Sequence, residues 1–324
     1  MDTELVIKFW GVRGSHPAPG AETVIFGGNT ACVEIRAGRQ VIILDAGTGI
    51  IGLGREMLRR ARENAAPLCA TLLFSHLHHD HTQGFPFFAP AYHPAARLNL
   101  FGPGASEQAL EEILARNQQA PAFPVSLREM SAARQIRSLR ETEMLCLDER
   151  GARLTEASWL AAESPETVVI RLMRSYAHPG GVYIYRITWR GQSVVYATDT
   201  EGYVGGDRRL AAFARSADLL IHDAQYSETH YRGQNGLPPT QGYGHSTVPM
   251  ACEMARAAEV RQLALFHHDP SYSDAQIASL EKEARALFPA SFAAREGLEV
   301  TLRPQHAPLF SAAPAEKILL SKAG

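Results

Sequence analysis

A short segment that begins at His76 has the sequence His-Leu-His-His-Asp-His, a combination of side chains that can bind metal ions. Imidazole nitrogens and carboxylate oxygens are ligands that zinc, iron and manganese accept in proteins. His76 and His78 are two residues apart, so their rings point the same way if the chain is extended there. Asp80 and His81 follow where the chain must turn, so they can face a second metal beside the first. His79 occupies the variable position of the pattern and is expected to be a bystander or a neighbour of the ligands rather than a ligand itself.

The surrounding elements predict that these side chains lie at the edge of a β-sheet. Residues 71–75 precede the segment as an apolar run with the length and flanks of a buried strand. Further along, residues 181–189 and 193–198 are typical of a β-hairpin, with His178 just before its first strand and Asp199 just after its second. Antiparallel pairing therefore brings His178 and Asp199 near each other at one edge of the sheet.

The last third of the chain alternates strands and helices, and two of its short strands end in polar residues. One ends in His222-Asp223 and the other in His267-His268-Asp269. A carboxyl-terminal edge shared by several strands is where α/β proteins place their sites. These residues are therefore further site candidates, and the adjacent histidines leave open which of them is a ligand.

The composition is that of a globular protein without a strong preference for a charged partner. The chain has 324 residues, 45% of them hydrophobic and 20% charged, and a formal net charge of -2. Such a charge gives no overall attraction to nucleic acid or to an anionic membrane. We expect a single domain over residues 1–306 with an irregular insertion at about 118–166, where prolines interrupt the periodicity, and a C-terminal tail at 307–324.

The sequence also predicts the compartment. The first residues are acidic rather than basic, and no apolar run reaches about eighteen residues, so secretion and membrane insertion are not expected. The four cysteines are widely separated without Cys-x-x-Cys spacing, which is typical of reduced core residues. A cytoplasmic location is the expectation that follows.

The candidate residues occur in an order that is typical of a known fold family. Besides the segment at His76, they are Asp45 in Leu-Asp-Ala-Gly-Thr-Gly, His178, Asp199 and the late His267. Over most of its length the chain thereby resembles the metallo-β-lactamase fold superfamily. The resemblance implies an α/β fold, an αββα sandwich of two mixed β-sheets with outer helices and with metals bound at one edge.

The segment Gly-Tyr-Gly-His-Ser-Thr, which contains His245, makes the resemblance more specific. It resembles the His-Ser-Thr element of the branch that contains tRNA 3′-end-processing ribonuclease Z and cyclic phosphodiesterases, enzymes that cleave phosphodiesters. The resemblance implies two divalent metal ions, with zinc favoured and manganese or iron open. The implied ligands are His76, His78 and His178 for one metal and Asp80, His81 and His267 for the other, with Asp199 bridging them.

Further residues are expected beside these ligands. His267 is preferred to His268 as the late ligand because it falls where the branch's ligand follows its strand, and His268 is expected near the site, as is His222. Asp45 has no ligand role in the pattern and is expected to organise the loop or a ligand. Arg13 is a weaker candidate for a phosphate contact.

The chemistry of phosphodiester hydrolysis fits this set. Two metals about 3.5–4 Å apart can bridge a water, lower its pKa and neutralise charge on the phosphate oxygens. Asp80 could also orient the resulting hydroxide. His245 is the candidate to protonate the leaving oxygen, because a positioned imidazole can donate a proton near pH 7. Asp223 could hold that imidazole, although the branch often has Glu at this position.

The favoured interpretation is a dinuclear metal-dependent hydrolase. It would be a phosphodiesterase that attacks a small cyclic nucleotide or a ribose cyclic phosphate with a metal-bridged hydroxide. The expected partner is thus a small phosphodiester and not a membrane, and a homodimer is suggested only by the habit of the branch.

Three alternative functions remain. The nearest is a ribonuclease Z-like RNA endonuclease, but the glycine-rich, basic arm with which that family typically holds tRNA is not evident. The stretch 231–244 is short and Arg232 is its only basic residue, so nucleic acid is possible but not favoured. The others are a thioester or lactam hydrolase, since the same chemistry can attack a carbonyl, and a non-catalytic metal-binding sensor. The His-Ser-Thr element at His245 argues against a thioester or lactam hydrolase. The full set of candidate ligands argues against a non-catalytic sensor.

Overall fold

Two mixed β-sheets face each other at the centre of the chain, which confirms the predicted fold class. The computed structural model describes residues 4–104, 109–156, 164–203 and 206–303. Within these ranges the first sheet contains, in spatial order, β15 (Glu299–Leu302), β1 (Leu5–Gly11), β2 (Cys32–Ala37), β3 (Gln40–Leu44), β4 (Cys69–Leu73), β5 (Arg97–Gly102) and β6 (Ala133–Ser138). The second contains β14 (Ser291–Ala293), β13 (Leu263–Phe266), β12 (Leu219–Asp223), β11 (Gln192–Ala197), β10 (Val182–Trp189), β9 (Val168–Ser175), β7 (Glu143–Asp148) and β8 (Gly151–Glu156).

Each sheet is antiparallel on one side and parallel on the other. In the first sheet β1, β2 and β3 pair antiparallel, whereas β3 to β6 run parallel. In the second sheet β8, β7, β9, β10 and β11 pair antiparallel, whereas β11 to β14 run parallel. The parallel halves collect the carboxyl ends of several strands at one edge, where α/β proteins place their sites.

Helices cover the outer faces of both sheets. On α1, the buried residues Ile50, Leu53 and Met57 recur at helical spacing and join the apolar layer outside the first sheet. Residues of α4, α6 and α7 form the corresponding layer outside the second sheet. The described helices are α1 (Gly49–Asn64), α2 (His79–Thr82), α3 (Ala109–Arg116), α4 (Arg208–Ala214), α5 (Glu228–Tyr231), α6 (Val248–Ala257) and α7 (Asp274–Leu287).

The central core lies between the two sheets and follows from strand periodicity. In β1 the side chains of Leu5, Ile7 and Phe9 are buried while the alternate residues are half-buried. The facing sheet contributes Tyr185 and Ile187 of β10 to the same core. Burying each large apolar side chain adds about 1.5–3 kcal/mol to the free energy of unfolding. This layer therefore holds the two sheets together, and with them the edge where the candidate site residues lie.

The interpretation of residues 118–166 as an irregular insertion is wrong for the stretch 133–156. This stretch contains β6, which extends the first sheet, and the β7–β8 hairpin, which extends the second. β6 lies at a sheet edge and carries Arg134 and Arg137, so it lacks the apolar run that marks a central strand. Residues 157–163 and the predicted tail at 307–324 lie outside the described residues.

Two other expectations concern cysteines and membranes. The four cysteines form no disulfide with one another, and Cys69 is exposed rather than part of the core. In the described ranges, no helix combines the length and the apolar composition that crossing a bilayer requires.

Candidate metal centre

The candidate site residues follow the ends of the parallel strands. Asp45 comes directly after β3, Asp199 follows β11, and His267 comes directly after β13. All three have left-handed backbone conformations, with φ of 60°, 51° and 62° respectively. Non-glycine residues in this region are uncommon and concentrate at functional sites. The backbone thus turns sharply as each strand ends, at the point where these side chains leave the sheet.

Three histidines form the first group of candidate ligands. One nitrogen from each of His76, His78 and His178 lies within 4.8 Å of the others. The Nε2 atom of His178 is 3.1 Å from Nδ1 of His78. Nε2 of His76 is buried and has no hydrogen-bond partner among the described residues. A buried nitrogen without a partner is costly, and a metal ion would satisfy it.

Two carboxylates and two histidines form the second group, which consists of Asp80, His81, Asp199 and His267. Nε2 of His81 lies 3.2 Å from an oxygen of Asp80 and 3.2 Å from Oδ2 of Asp199. Nε2 of His267 lies 3.1 Å from Asp80 and 3.3 Å from Oδ1 of Asp199. All four residues are buried. Mixed nitrogen and oxygen donors that converge in this way suit zinc, manganese or iron.

Asp199 lies between the two groups. Its Oδ1 atom is 3.6 Å from Nε2 of His76 and 3.9 Å from Nε2 of His178, which belong to the first group. Its Oδ2 atom is 3.2 Å from Nε2 of His81 in the second group. This is the position that a bridging carboxylate requires.

The charges of the second group favour a cation. Burial opposes ionisation of Asp199, yet the neighbouring His267 and His81 hold its pKa well below the usual range. Burial likewise opposes a charge on His81, but Asp199, Asp80 and Asp45 raise its pKa well above the usual value. Three carboxylates thus surround one imidazole in a buried space. Such an excess of negative charge fits divalent metal ions.

Asp45 supports the second group from behind. Its Oδ2 atom accepts hydrogen bonds from Nδ1 of His81 at 2.7 Å, from Oγ of Ser75 at 2.7 Å and from the hydroxyl of Tyr196 at 2.8 Å. Its Oδ1 atom accepts from the amide of Ser75 at 2.7 Å. A carboxylate behind a metal-binding imidazole fixes the ring and increases its basicity. The predicted role of Asp45 as an organising carboxylate agrees with these contacts.

His245 stands beside both groups and is held by Asp223. Its Nδ1 atom is 2.7 Å from Oδ2 of Asp223, and its ring lies 5.0 Å from that of His178 and 5.0 Å from that of His267. The amide of Ser246 donates to Oδ1 of Asp223 at 2.9 Å, which fixes the carboxylate. Burial opposes the charge of His245, but the Asp223 carboxylate prevails and raises the pKa of His245 to about 9. The shorter Asp side chain therefore reaches the imidazole.

Two of the predicted neighbours point elsewhere. Nδ1 of His222 lies 2.7 Å from the carbonyl oxygen of Asp223, and Nε2 of His268 lies 2.9 Å from that of Ala294. Neither belongs to a ligand group that the described residues form. Because consecutive side chains alternate in direction near a strand, His268 points away when His267 points in. His267 belongs to the second ligand group, whereas the rings of His222 and His268 face backbone carbonyl oxygens.

Arg13 does not face the site either. Its side chain is fully buried and donates to the carbonyl oxygens of Gly27, Asp269 and Tyr272 at 2.8, 3.0 and 2.7 Å. It thereby ties three loops together, so the predicted phosphate contact is replaced by a structural role.

Several contacts of the site were not anticipated. The amide of Ser15 donates to Oδ2 of Asp80 at 2.8 Å, and Oε1 of Gln225 lies 2.9 Å from Nδ1 of His267. The Glu201 carboxylate accepts hydrogen bonds from the amides of Gly242 and Gly244, next to His245. In the sequence, the only signal for Gln225 and Glu201 is that each follows a site aspartate by two residues.

Members of both groups line one open cleft of about 510 Å³: His78 and His178 from the first, and Asp80 and Asp199 from the second, together with His245. The cleft includes Ser15, Leu77 and the exposed His79 beside the ligand candidates. His79 thus lies at the cleft but in neither ligand group, which is consistent with the bystander role predicted for it.

The sequence matches the family model of the beta-lactamase superfamily domain over residues 40–268. The chain is a member of this superfamily. The matched segment spans all the candidate ligands as well as His245 and Asp223. Superfamily membership and the fold make this protein a metal-dependent hydrolase.

Similar proteins support this classification. A ribonuclease Z from Gemmatimonas aurantiaca is 27% identical over 325 residues, covering 92% of this chain and 96% of that protein. The crystal structure of the short form of human tRNase Z has a TM-score of 0.59 at 17% identity, covering 91% of this chain and 98% of that one. Zinc-bound PqqB from Methylobacterium extorquens has a TM-score of 0.60 at 13% identity, covering 92% and 100%. The two structures share the fold of this superfamily member.

Proposed function

We propose that this superfamily member is a dinuclear metal-dependent phosphodiesterase of the ribonuclease Z type, with RNA as its substrate class. The observation that carries the proposal is the pair of ligand groups joined by Asp199, with His245 held by Asp223 beside both. The curated relative that matches nearly the whole chain is a ribonuclease Z. Both observations point to cleavage of a phosphodiester.

In this proposal the two ligand groups hold two divalent ions, which we propose to be zinc. When bound, such ions activate water and neutralise the charge of the attacked phosphate. One ion would be held by His76, His78 and His178, the other by Asp80, His81 and His267, and Asp199 would contact both. Zinc is supported by the nitrogen-rich donor set and by the zinc-bound structure that shares the fold.

The chain itself contributes orientation and a proton. The Asp80 carboxylate, fixed by the Ser15 amide, lies where it can orient the attacking water. His245 carries a proton on the Nε2 atom, because Asp223 binds Nδ1 and favours the charged ring. Nε2 can therefore donate that proton to the leaving oxygen as the ester bond breaks. Asp223 acts through His245 by keeping the ring oriented and charged.

RNA as the substrate class replaces the small phosphodiester that the sequence favours. That expectation rested on the lack of an evident basic arm, whereas the ribonuclease Z relative covers 92% of this chain and is covered over 96% of its own length. Similarity over nearly the full length extends well beyond the candidate metal centre. This similarity to a ribonuclease Z therefore supports RNA more strongly than the lack of an evident basic arm opposes it.

A small phosphodiester remains the second candidate, favoured by two observations. Between His178 and Asp199 the described chain consists of the β10–β11 hairpin and its flanking turns, without a protruding segment. The cleft of about 510 Å³ also lies within the range of small-molecule sites.

Hydrolysis assays with two substrate classes would separate these candidates. One assay uses a tRNA precursor transcript with a 3′ trailer, and the other uses a panel of 2′,3′- and 3′,5′-cyclic nucleotides, each with and without a chelator. We expect chelator-sensitive cleavage of the transcript at one position. Turnover of a cyclic nucleotide with an intact transcript would overturn the RNA proposal in favour of the second candidate. A matched His245→Ala variant excludes contaminating nucleases as the source of cleavage.

A further inference from the structure

Three tyrosines are exposed on the loops that carry the candidate catalytic residues. Tyr176 and Tyr243 each lie two residues before a site histidine, and Tyr203 lies four residues after the bridging aspartate. Their exposed fractions are 69%, 58% and 49% respectively. A tyrosine combines a flat apolar ring with a polar hydroxyl, so exposed rings on loops that carry site residues are suited to contact a bound partner. We call these three residues the tyrosine rim.

Hydrogen bonds join the three loops into one surface. The amide of Glu201 donates to the carbonyl oxygen of Ala177 at 3.3 Å, which links the loop of Tyr203 to that of Tyr176. The Glu201 carboxylate accepts from the amides of Gly242 at 2.8 Å and Gly244 at 3.0 Å, which links it to the loop of Tyr243. The tyrosine rim is therefore held on a connected frame and not on three independent loops.

The same frame borders the cleft. The carbonyl oxygen of Gly244 lies 3.2 Å from Nδ1 of His178, and His178, Asp199 and His245 all line the cleft. Each tyrosine is thus separated from a cleft residue by only a few residues of ordered chain. The tyrosine rim is placed beside the cleft because its loops carry these three cleft residues, and Tyr203 itself lines a second pocket together with Thr200 and Glu201.

The chemistry of the rim fits unpaired nucleotides. The Arg174 guanidinium lies over the ring of Tyr176 at 5.0 Å from its centroid, so a cation is present beside an exposed aromatic face. Proteins hold single-stranded nucleic acid by stacking bases on such rings and by placing positive charge near the backbone. The Glu201 charge, which would repel phosphate, is already directed at backbone amides and at the hydroxyl of Tyr231.

We propose that the tyrosine rim stacks on the unpaired nucleobases of RNA that flank the phosphodiester in the cleft. This inference rests on the proposed function and deepens it, because it gives the RNA a binding surface that needs no basic arm. Stacking tolerates any base, so the rim would recognise an unpaired strand rather than a particular sequence.

The test compares single and triple Tyr→Ala variants with matched Tyr→Phe variants. The substrates are the tRNA precursor transcript, the same RNA with abasic sites beside the scissile bond, and bis(p-nitrophenyl) phosphate, which has no base. Each Ala substitution is expected to raise KM for the transcript about tenfold, relative to KM for the small ester. The Phe variants should retain the KM of the parent protein, since the ring and not the hydroxyl stacks. Removing the bases should raise KM for the parent protein but not for the triple Ala variant.

The control is Leu287→Ala. Leu287 is also exposed, at 39%, but it ends α7, which packs outside the second sheet and contributes no residue to the cleft. Its replacement should leave both KM values unchanged. If the parent protein cleaves the transcript and the triple Ala variant keeps its KM, the rim proposal is overturned and the function stands. If the parent protein hydrolyses the small ester but not RNA, both fall. Loss of self-association in light scattering with an unchanged KM would instead assign the rim to a second copy of the chain.

Discussion

At the scale of single residues, the His245–Asp223 pair gives the site its proposed proton donor. The ring is buried, fixed through Nδ1 and adjacent to both ligand groups without being needed to complete either. A histidine held in this way can act on the leaving oxygen while the ligands hold the metals. Its contribution should therefore be separable from metal binding.

The variant His245→Ala tests this separation. We expect turnover of a phosphodiester to fall at least about 100-fold, because a positioned general acid contributes roughly 10²–10⁴ in rate. Metal content, measured by elemental analysis, should stay close to that of the parent protein. His93→Ala, which changes an exposed histidine on a distant loop, is the control. Loss of metal together with activity would make His245 a ligand instead.

Asp45 is a second single residue whose role can be tested, because it acts through the ring of His81. In Asp45→Asn the negative charge behind His81 disappears while the shape of the side chain is kept. We expect metal affinity to fall roughly 10–100-fold, as is typical when the carboxylate behind a metal-binding histidine is removed. Competition with a chelator of known affinity measures this change. Asp207→Asn is the control, since Asn also caps the start of a helix such as α4. An unchanged affinity would show that Asp45 has only a structural role.

At the scale of elements, the site depends on how strands end. The sequence predicted the hairpin that carries His178 and Asp199, because β-branched and aromatic residues alternate with clear turn residues. It could not predict the left-handed backbone of Asp199 and His267, since these are not glycines and only tertiary contacts enforce the conformation. It also missed β6, whose charged edge hides its strand character. The sequence thus predicted the central elements, but it did not predict the edge strand or the exact directions of the side chains.

Glu201 connects two elements, because its carboxylate binds the loop of Gly242 and Gly244 to the segment that follows β11. In Glu201→Ala that loop loses its anchor, so Gly244 no longer fixes His178 and the neighbouring His245 gains freedom. We expect kcat to fall about tenfold or more, because small misplacements of catalytic groups are costly. Steady-state kinetics with bis(p-nitrophenyl) phosphate measure the effect. Glu201→Gln, which keeps an acceptor, should recover part of the loss.

The control for Glu201 is Glu253→Ala, which removes an exposed carboxylate from α6. It should leave kcat unchanged. If Glu201→Ala also leaves kcat unchanged, the loop does not need its anchor and the role assigned to Glu201 is wrong.

At the scale of the whole molecule, the two sheets meet directly behind the metal centre. The amide of Tyr183 donates to the carbonyl of Ser75 at 2.8 Å, and the hydroxyl of Tyr185 donates to the carbonyl of Phe74 at 2.7 Å. Each bond joins β10 of one sheet to the segment before His76 in the other. Because the ligands come from both sheets, bound metal should also hold the sheets together.

Metal binding should therefore stabilise the fold. A ligand that binds only the folded state at about 100 times its Kd adds roughly 2.7 kcal/mol to the free energy of unfolding. For a chain of this size this corresponds to a rise in Tm of roughly 4 °C. Thermal unfolding of chelator-treated protein, before and after zinc is added, measures the shift. His76→Ala should reduce it, and an equal Tm in both states would contradict a metal that links the sheets.

The central claim is a two-metal phosphodiesterase, and one measurement tests it most directly. Elemental analysis and bis(p-nitrophenyl) phosphate hydrolysis are carried out on the same preparation, before chelation, after chelation and after zinc is restored. The account predicts about two metals per chain, loss of turnover on chelation and its return with zinc. Fewer than about one metal per chain with no turnover after zinc is restored would contradict it.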